Sequence, residues 1–316
     1  MKTFFLRFNH FALAACAALA CAMPAQAAIA PGDKAALIAF YDAAGGDQWE
    51  ASRRANWKSA YDPCDPINGW AGVKCDNVDP NAQRVTELKV AGTGMTGTLS
   101  PAVSQLTELR VLMLIYNRIS SHTGLAGAVP DLSALTHLQE LHLVGQNFSS
   151  MRSANLTSLV NLQYLHLQEN RRPLNHALPD ISRMRRLIYF TAYGSGFTGQ
   201  SPDISNLRNL MAFRIQGNRM TGDLTRIQPP SMLRSMGGAT VCPNHFSKVD
   251  NRDWDNATDV NWRRGEKWHD LCTLPPAAAT PAPVPALGQP ALALLAALVG
   301  AAGVARRRFF KKRLAL

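Results

Sequence analysis

A pattern of apolar residues that recurs six times constrains the fold of this chain more than any other feature. Each copy has apolar residues at its first, fourth and sixth positions and a polar residue at its ninth. The copies start at Val85, Leu109, Leu138, Leu162, Leu187 and Leu210, separated by 24, 29, 24, 25 and 23 residues. Alternating apolar residues are typical of a strand with one buried face. One copy cannot bury that face alone, so the pattern predicts strands stacked into a solenoid.

The pattern resembles the leucine-rich repeat, whose frame is L-x-x-L-x-L-x-x-N-x-L. The resemblance implies an α/β solenoid, a right-handed superhelix with a parallel β-sheet on its concave face. At the ninth position a side-chain amide is able to bond backbone groups that the turn leaves unpaired. This chain has Thr93, Asn117, Gln146, Asn170, Ser195 and Asn218 there. We expect the turns with Thr93, Gln146 and Ser195 to be less regular.

The segment before the repeats strengthens the resemblance. Apolar residues at helical spacing follow Asp33, which we predict to be the helix N-cap, and the turn at 45–47 should end that helix. Residues 33 to about 222 resemble plant-type leucine-rich-repeat proteins. The resemblance rests on glycine and proline residues after several strands and on these elements of the N-terminal segment: Trp49, Trp57, Cys64, Trp70 and Gly72-Val73-Lys74-Cys75-Asp76. Because a solenoid end exposes apolar surface, we predict that the three tryptophans cover it.

Both ends of the chain have the composition of targeting segments. Lys2 and Arg7, an apolar run over 11–23 and a small-x-small motif at 25–27 predict a signal peptide at 1–27. Leu13-Ala14-Ala15-Cys16 offers an alternative cleavage site, which would leave Cys16 as a lipidated N-terminus. Export across the inner membrane follows from either cut.

The C-terminal end has three parts. A Pro/Ala linker at 275–283 precedes an apolar segment without charge and a basic end with six cations between 306 and 313. Such a basic flank keeps a membrane helix oriented with the folded part outside the cytoplasm. Residues 284–316 resemble an IPTL-CTERM sorting tail, with the related PEP-CTERM class and a plain anchor as alternatives. The motif residues are Val284, Pro285, Ala286 and Leu287.

The sorting resemblance implies two partners, an exosortase-type enzyme and the membrane. The protein is then membrane-anchored facing the periplasm or sorted to the cell surface. Without the terminal segments, 25 basic residues face 22 acidic ones. This net charge of +3 predicts no nucleic-acid partner.

Four cysteines remain after the signal peptide, and export makes disulfides the default. Three pairings are possible, but the repeats would hold the two pairs far apart, which favours Cys64 with Cys75 and Cys242 with Cys272. The predicted divisions are an N-terminal cap at 28–84, about six repeats at 85–236 and a C-terminal cap at 237–274. The second cap would use Trp254, Trp262 and Trp268.

Outward positions of the strands are the candidate binding residues, since equivalent positions of successive parallel strands form columns about 4.8 Å apart. We predict that ligand contacts come from His142, Tyr164, His166, Tyr189, Tyr193 and Arg214. The simpler alternative is that strands favour aromatic residues anyway.

The chain has no nucleophile elbow, phosphate-binding glycine loop or HExxH motif, so we expect no enzyme, catalytic residue or cofactor. His142 and His166 with Glu140 would suit zinc, but such neighbours also arise by chance, and we assign no metal ligand. The predicted function is non-catalytic recognition of a protein, peptide or glycan on the concave face. The alternative is a structural or adhesive surface component retained by its tail.

Overall fold

Strands from successive repeats lie side by side in one eight-stranded sheet. The computed structural model describes residues 27–79, 82–92, 94–116, 123–249, 252–258 and 272. Its strands are β1 (Val73–Asp79), β2 (Ala82–Ala91), β3 (Val111–Ile115), β4 (Ala126–Ala128), β5 (Glu140–Val144), β6 (Asn147–Ser150), β7 (Tyr164–His166), β8 (Tyr189–Thr191), β9 (Thr198–Gln200), β10 (Ala212–Arg214), β11 (Arg219–Asp223), β12 (Ala239–Thr240) and β13 (His245–Lys248). Its α-helices are α1 (Pro31–Ala43), α2 (Ser231–Met236) and α3 (Arg252–Ala257).

The large sheet has the order β1-β2-β3-β5-β7-β8-β10-β12. Only β1 with β2 is antiparallel; the other six pairs are parallel. Residues at the first, fourth and sixth positions of the six predicted repeats are at most 3% exposed. The predicted leucine-rich-repeat solenoid with a parallel sheet is confirmed.

Polar side chains at the ninth position bind the backbone inside the turns. The Asn218 amide accepts hydrogen bonds from Ser195 N and Phe197 N and donates to Ala192 O and Ile215 O. Gln146, expected to give a less regular turn, is fully buried and makes three backbone bonds of 2.8–3.1 Å. Ser195 likewise accepts from Asn170 N and donates to the carbonyl of Leu167. At these two turns glutamine and serine therefore also form hydrogen bonds with the backbone, although we expected less regular turns there.

Short second strands follow several strands of the large sheet along the chain. They form a three-stranded sheet, β13-β11-β9, and a pair, β4-β6. The glycines that follow β2, β3 and β8 in the repeats, Gly97, Gly127 and Gly199, have positive φ. At Gly97 a Cβ would also collide with the carbonyl oxygen of Ala43. Gly97 is therefore required both for its backbone angle and for the close approach of the end of α1.

The prediction that Asp33 caps α1 is wrong. The helix begins at Pro31 with Ala30 as N-cap, and Asp33 lies in the first turn, 2% exposed. Its carboxylate accepts from the Arg84 guanidinium at 3.0–3.2 Å and from Val85 N at 2.8 Å. Asp33 therefore fastens the helix to the first repeat strand instead of capping it.

The three tryptophans predicted to cover the end of the solenoid are buried, and two of them pack against Phe40 and Tyr41 of α1. Trp49, Trp57 and Trp70 are 2%, 7% and 2% exposed, and their ring centroids lie 5.6 and 5.1 Å apart in sequence order. Each indole N–H donates to a backbone carbonyl. The predicted bond between Cys64 and Cys75 is present beside this cluster.

A seventh turn extends the repeat array into the segment predicted as C-terminal cap. Strand β12 pairs with β10 in parallel, and Ala239, Val241 and Phe246 are buried. Asn244 occupies the ninth position: it accepts from Met220 N and donates to Ile215 O and Val241 O. The bond between Cys242 and Cys272 is present at this turn. Trp254 is fully buried and donates to the carbonyls of Leu224 and Ile227.

Several predicted segments lie outside the described residues. These are nearly all of the signal peptide, the linker at 275–283, the sorting segment at 284–316, and Trp262 and Trp268. In the part of the chain that the structure describes, no helix has the length and apolar character needed to cross a bilayer.

Candidate binding face on the parallel sheet

The outward side chains of β2, β3, β5, β7, β8 and β10 form a surface that we call the ladder face. The strand register aligns two complete columns on it. The first is Glu87, Val111, Glu140, Tyr164, Tyr189 and Ala212, and the second is Lys89, Met113, His142, His166, Thr191 and Arg214. These are the columns expected from the repeat spacing.

Two tyrosines form the centre of the ladder face. Tyr164 and Tyr189 are half-buried, and their rings stack with centroids 5.4 Å apart and an interplanar angle of 9°. Stacking fixes both rings before any ligand arrives, which lowers the entropy lost on binding. Tyr193, also half-buried, follows in the turn after β8.

Two histidines lie beside the tyrosines. The rings of His142 and His166 are 4.5 Å apart, and His142 Nε2 lies 3.2 Å from a Glu140 carboxylate oxygen. Burial, then the neighbouring His142 and Arg214, lower the pKa of His166 to about 4. Burial also lowers the pKa of His142, although Glu140 opposes the shift. Both imidazoles are therefore neutral near pH 7.

The predicted site residues differ in how accessible they are. His142 is only 9% exposed, so its main contacts are with Glu140 and His166 rather than with solvent. Arg214 is exposed at the end of the same column and forms no ion pair with another described residue. The accessible part of the predicted patch therefore runs from Tyr164 toward Arg214, with His142 as a support beneath it.

Three buried polar atoms among the described residues have no hydrogen-bond partner: Glu87 Oε2, His166 Nε2 and Gln216 Oε1. Glu87 Oε2 is in ion pairs with Lys74 and Lys89, so the two atoms without a polar contact are those of His166 and Gln216. An unpaired buried polar atom usually costs about 1–3 kcal/mol, so such atoms concentrate where function requires them. Gln216 was not among the predicted site residues. The only signal for Gln216 in the sequence was that it is the next outward position after Arg214 in its repeat.

The described residues contain no group of three or more histidine, cysteine, aspartate or glutamate side chains able to hold a metal ion. Glu140, His142 and His166 thus make one hydrogen bond and one ring contact with each other in this structure. Its chemistry is that of a neutral, partly aromatic contact surface.

Two family models match the chain. Residues 30–76 match the leucine rich repeat N-terminal domain, and residues 282–309 match the IPTL-CTERM motif. The first match covers α1, the tryptophan cluster and the Cys64–Cys75 bond. The second contains Val284, Pro285, Ala286 and Leu287, the predicted motif residues. With the stacked repeats, these matches define a class: the chain is a leucine-rich-repeat protein with an IPTL-CTERM sorting tail.

The chain is similar to several curated plant proteins. The chain is 28% identical over 171 residues to the receptor-like kinase TMK2 of Arabidopsis thaliana, which covers 53% of this chain and 17% of the relative. It is 34% identical over 136 residues to the receptor protein kinase WSS1 of Oryza sativa subsp. japonica, covering 43% and 14%. The chain thus spans less than a fifth of the length of these relatives.

Among solved structures, the ectodomain of the receptor kinase SOBIR1 from Arabidopsis thaliana is similar to this chain. It shares 26% identity, with a TM-score of 0.47, over 61% of this chain and 96% of that one.

Proposed function

We propose that this chain is a non-catalytic, exported recognition protein that binds a protein, peptide or glycan through the ladder face. The stacked pair of Tyr164 and Tyr189 is the observation that carries the proposal. Aromatic side chains that are rigid before binding are typical anchors of interfaces. His166, Tyr193 and Arg214 would supply polar contacts around this anchor.

The test is a cross-linking pull-down from the native environment with the full chain and with Tyr164→Ala plus Tyr189→Ala. We expect a discrete partner whose recovery falls at least about tenfold in the double variant, since interface anchors often contribute more than 1.4 kcal/mol. Tyr61→Ala plus Ile67→Ala removes two large exposed side chains of the N-terminal cap and serves as the control. Equal recovery with all three proteins would rule out the ladder face.

The IPTL-CTERM match favours a second candidate, a structural or adhesive surface component retained by its tail. In this proposal an exosortase-type enzyme recognises the tail and the adjoining apolar segment holds the chain at the membrane. Deleting residues 282–309 should move the protein from the cell-associated fraction to the medium and reduce matrix mass. Loss of matrix after this deletion, but not after the double tyrosine substitution, would favour the second candidate over the first.

A further inference from the structure

The positive charge of the folded part is concentrated in one stretch of sequence, residues 171–234. That stretch has ten basic residues, all arginine, against three aspartates, a net charge of +7. Residues 28–170 have ten basic and thirteen acidic side chains, and residues 235–274 have five and six, for net charges of −3 and −1. A modest overall charge therefore conceals a strongly basic region. Arginine, unlike lysine, presents a planar fork that matches carboxylates and phosphates.

Four of these arginines lie on the loops that lead into two adjacent strands, and we call them the arginine edge: Arg183, Arg185, Arg186 and Arg208. Strands β8 and β10 pair directly, and the Asn209 side chain donates to the Arg185 carbonyl at 3.1 Å, so the two loops touch. All four arginine side chains are exposed, and none forms an ion pair with another described residue. Arg84 and Arg234, in contrast, are each paired with an aspartate.

A shallow groove of about 390 Å³ runs along this edge. Its lining is Val160, Ser182, Arg183, Arg185 and Asn206. The groove therefore combines two guanidinium groups with a hydroxyl and an amide, while Val160, 40% exposed, is its one apolar side chain. No aromatic side chain lines it.

We propose that the arginine edge binds an acidic polysaccharide. The guanidinium groups of Arg185 and Arg208 bind carboxylates along the polymer, and Ser182 and Asn206 bind sugar hydroxyls. Single-stranded nucleic acid fits less well, because its binding sites stack bases on aromatic side chains. A membrane surface fits less well, because interfacial binding requires a larger apolar contact than Val160 provides. The site lies on the loops before the strands, so it is separate from the ladder face.

The test measures binding of a short alginate oligosaccharide, a uronate polymer, to the purified full chain at low and moderate salt. Arg185→Gln plus Arg208→Gln should weaken alginate binding at least about tenfold, since each substitution removes the charge-assisted hydrogen bonds of one guanidinium group with the carboxylates. Arg185→Lys plus Arg208→Lys keeps the charge but not the fork and should give an intermediate loss. A neutral cello-oligosaccharide of the same length should not bind.

The control variant is Arg53→Gln plus Arg152→Gln, which removes the same charge from two exposed arginines outside the basic stretch. At moderate salt its affinity should stay within about twofold of the original, because neither arginine lies on the two loops that carry the arginine edge. Equal weakening by the control and edge variants would overturn the proposal in favour of bulk charge. Absence of alginate binding at low salt, or tighter and equally variant-sensitive binding of single-stranded DNA or polyglutamate, would also overturn it. Unchanged thermal melting of each variant excludes misfolding as the cause.

Discussion

The imidazole of His166 is neutral across the neutral pH range because it is buried beside a second imidazole and near a guanidinium group. Its pKa of about 4 in the folded chain lies below the ordinary value of 6.5. Between these values the unfolded chain binds a proton here and the folded chain does not. Stability is therefore complete above about pH 6.5 and falls as the pH drops toward 4.

We predict that lowering the pH from 7.5 to 5 costs about 1 kcal/mol at His166, after allowance for solvent screening at a partly exposed site. His166→Asn should remove this part of the pH dependence in urea unfolding. Identical pH profiles for His166→Asn and the unaltered chain would contradict the assignment.

A second prediction at this scale concerns the buried amide of Asn218. Asn218→Ala leaves two backbone N–H groups and two carbonyls without their side-chain partner. We expect a loss of about 2–4 kcal/mol in the free energy of unfolding, measured in urea. Asn209→Ala removes one bond from an exposed amide and should cost below about 1 kcal/mol. Similar losses for both variants would show that the internal ladder does not stabilise the turns.

At the scale of single elements, α1 depends on one buried carboxylate. Asp33→Ala removes the carboxylate that accepts from the Arg84 guanidinium and from Val85 N, and we expect a loss of about 3–5 kcal/mol. Asp42, on the same helix, pairs with Lys58 at 3.0 Å in an exposed ion pair. Asp42→Ala should leave the urea midpoint unchanged within error. An equally small effect of Asp33→Ala would mean that apolar packing alone holds the helix.

The repeat strands were predictable because each one is defined by nearby residues. The spacing of buried positions within a dozen residues determines the strand, and in-phase stacking then determines both columns of the ladder face. Asp33 was misassigned because its partner, Arg84, lies 51 residues away and no local pattern reveals it. The near burial of His142 was missed for a related reason, since it depends on how the Glu140 and His166 side chains pack around it.

The seventh turn was missed although its sequence keeps the frame. Ala239, Val241, Asn244 and Phe246 occupy the fourth, sixth, ninth and eleventh positions. At the first position Met236 is 54% exposed, and alanine at the fourth is too small to mark a core position. The turn is therefore defined mainly by the bonds of Asn244 and by the pairing of β12 with β10. Only the asparagine can be recognised in the sequence.

For the whole molecule, a solenoid is stabilised by contacts between neighbouring turns, so its ends decide how it unfolds. Trp254 is fully buried at the last turn and packs against Phe213, with ring centroids 6.3 Å apart. We predict that Trp254→Ala costs about 3–5 kcal/mol. In hydrogen exchange, β10 and β12 should lose protection before β2 and β3. Simultaneous loss in all four strands would mean that the array unfolds as one unit.

The Cys242–Cys272 bond also determines the path that mechanical tension takes through the molecule. The sorting tail follows Cys272 in the chain, and the bond joins that residue covalently to Cys242, two residues after β12. Tension applied to the tail therefore reaches the last strand of the sheet without stretching residues 243–271. With the bond reduced, the same pull would be transmitted through that segment. The disulfide thus makes the end of the repeat array the point at which the protein bears load.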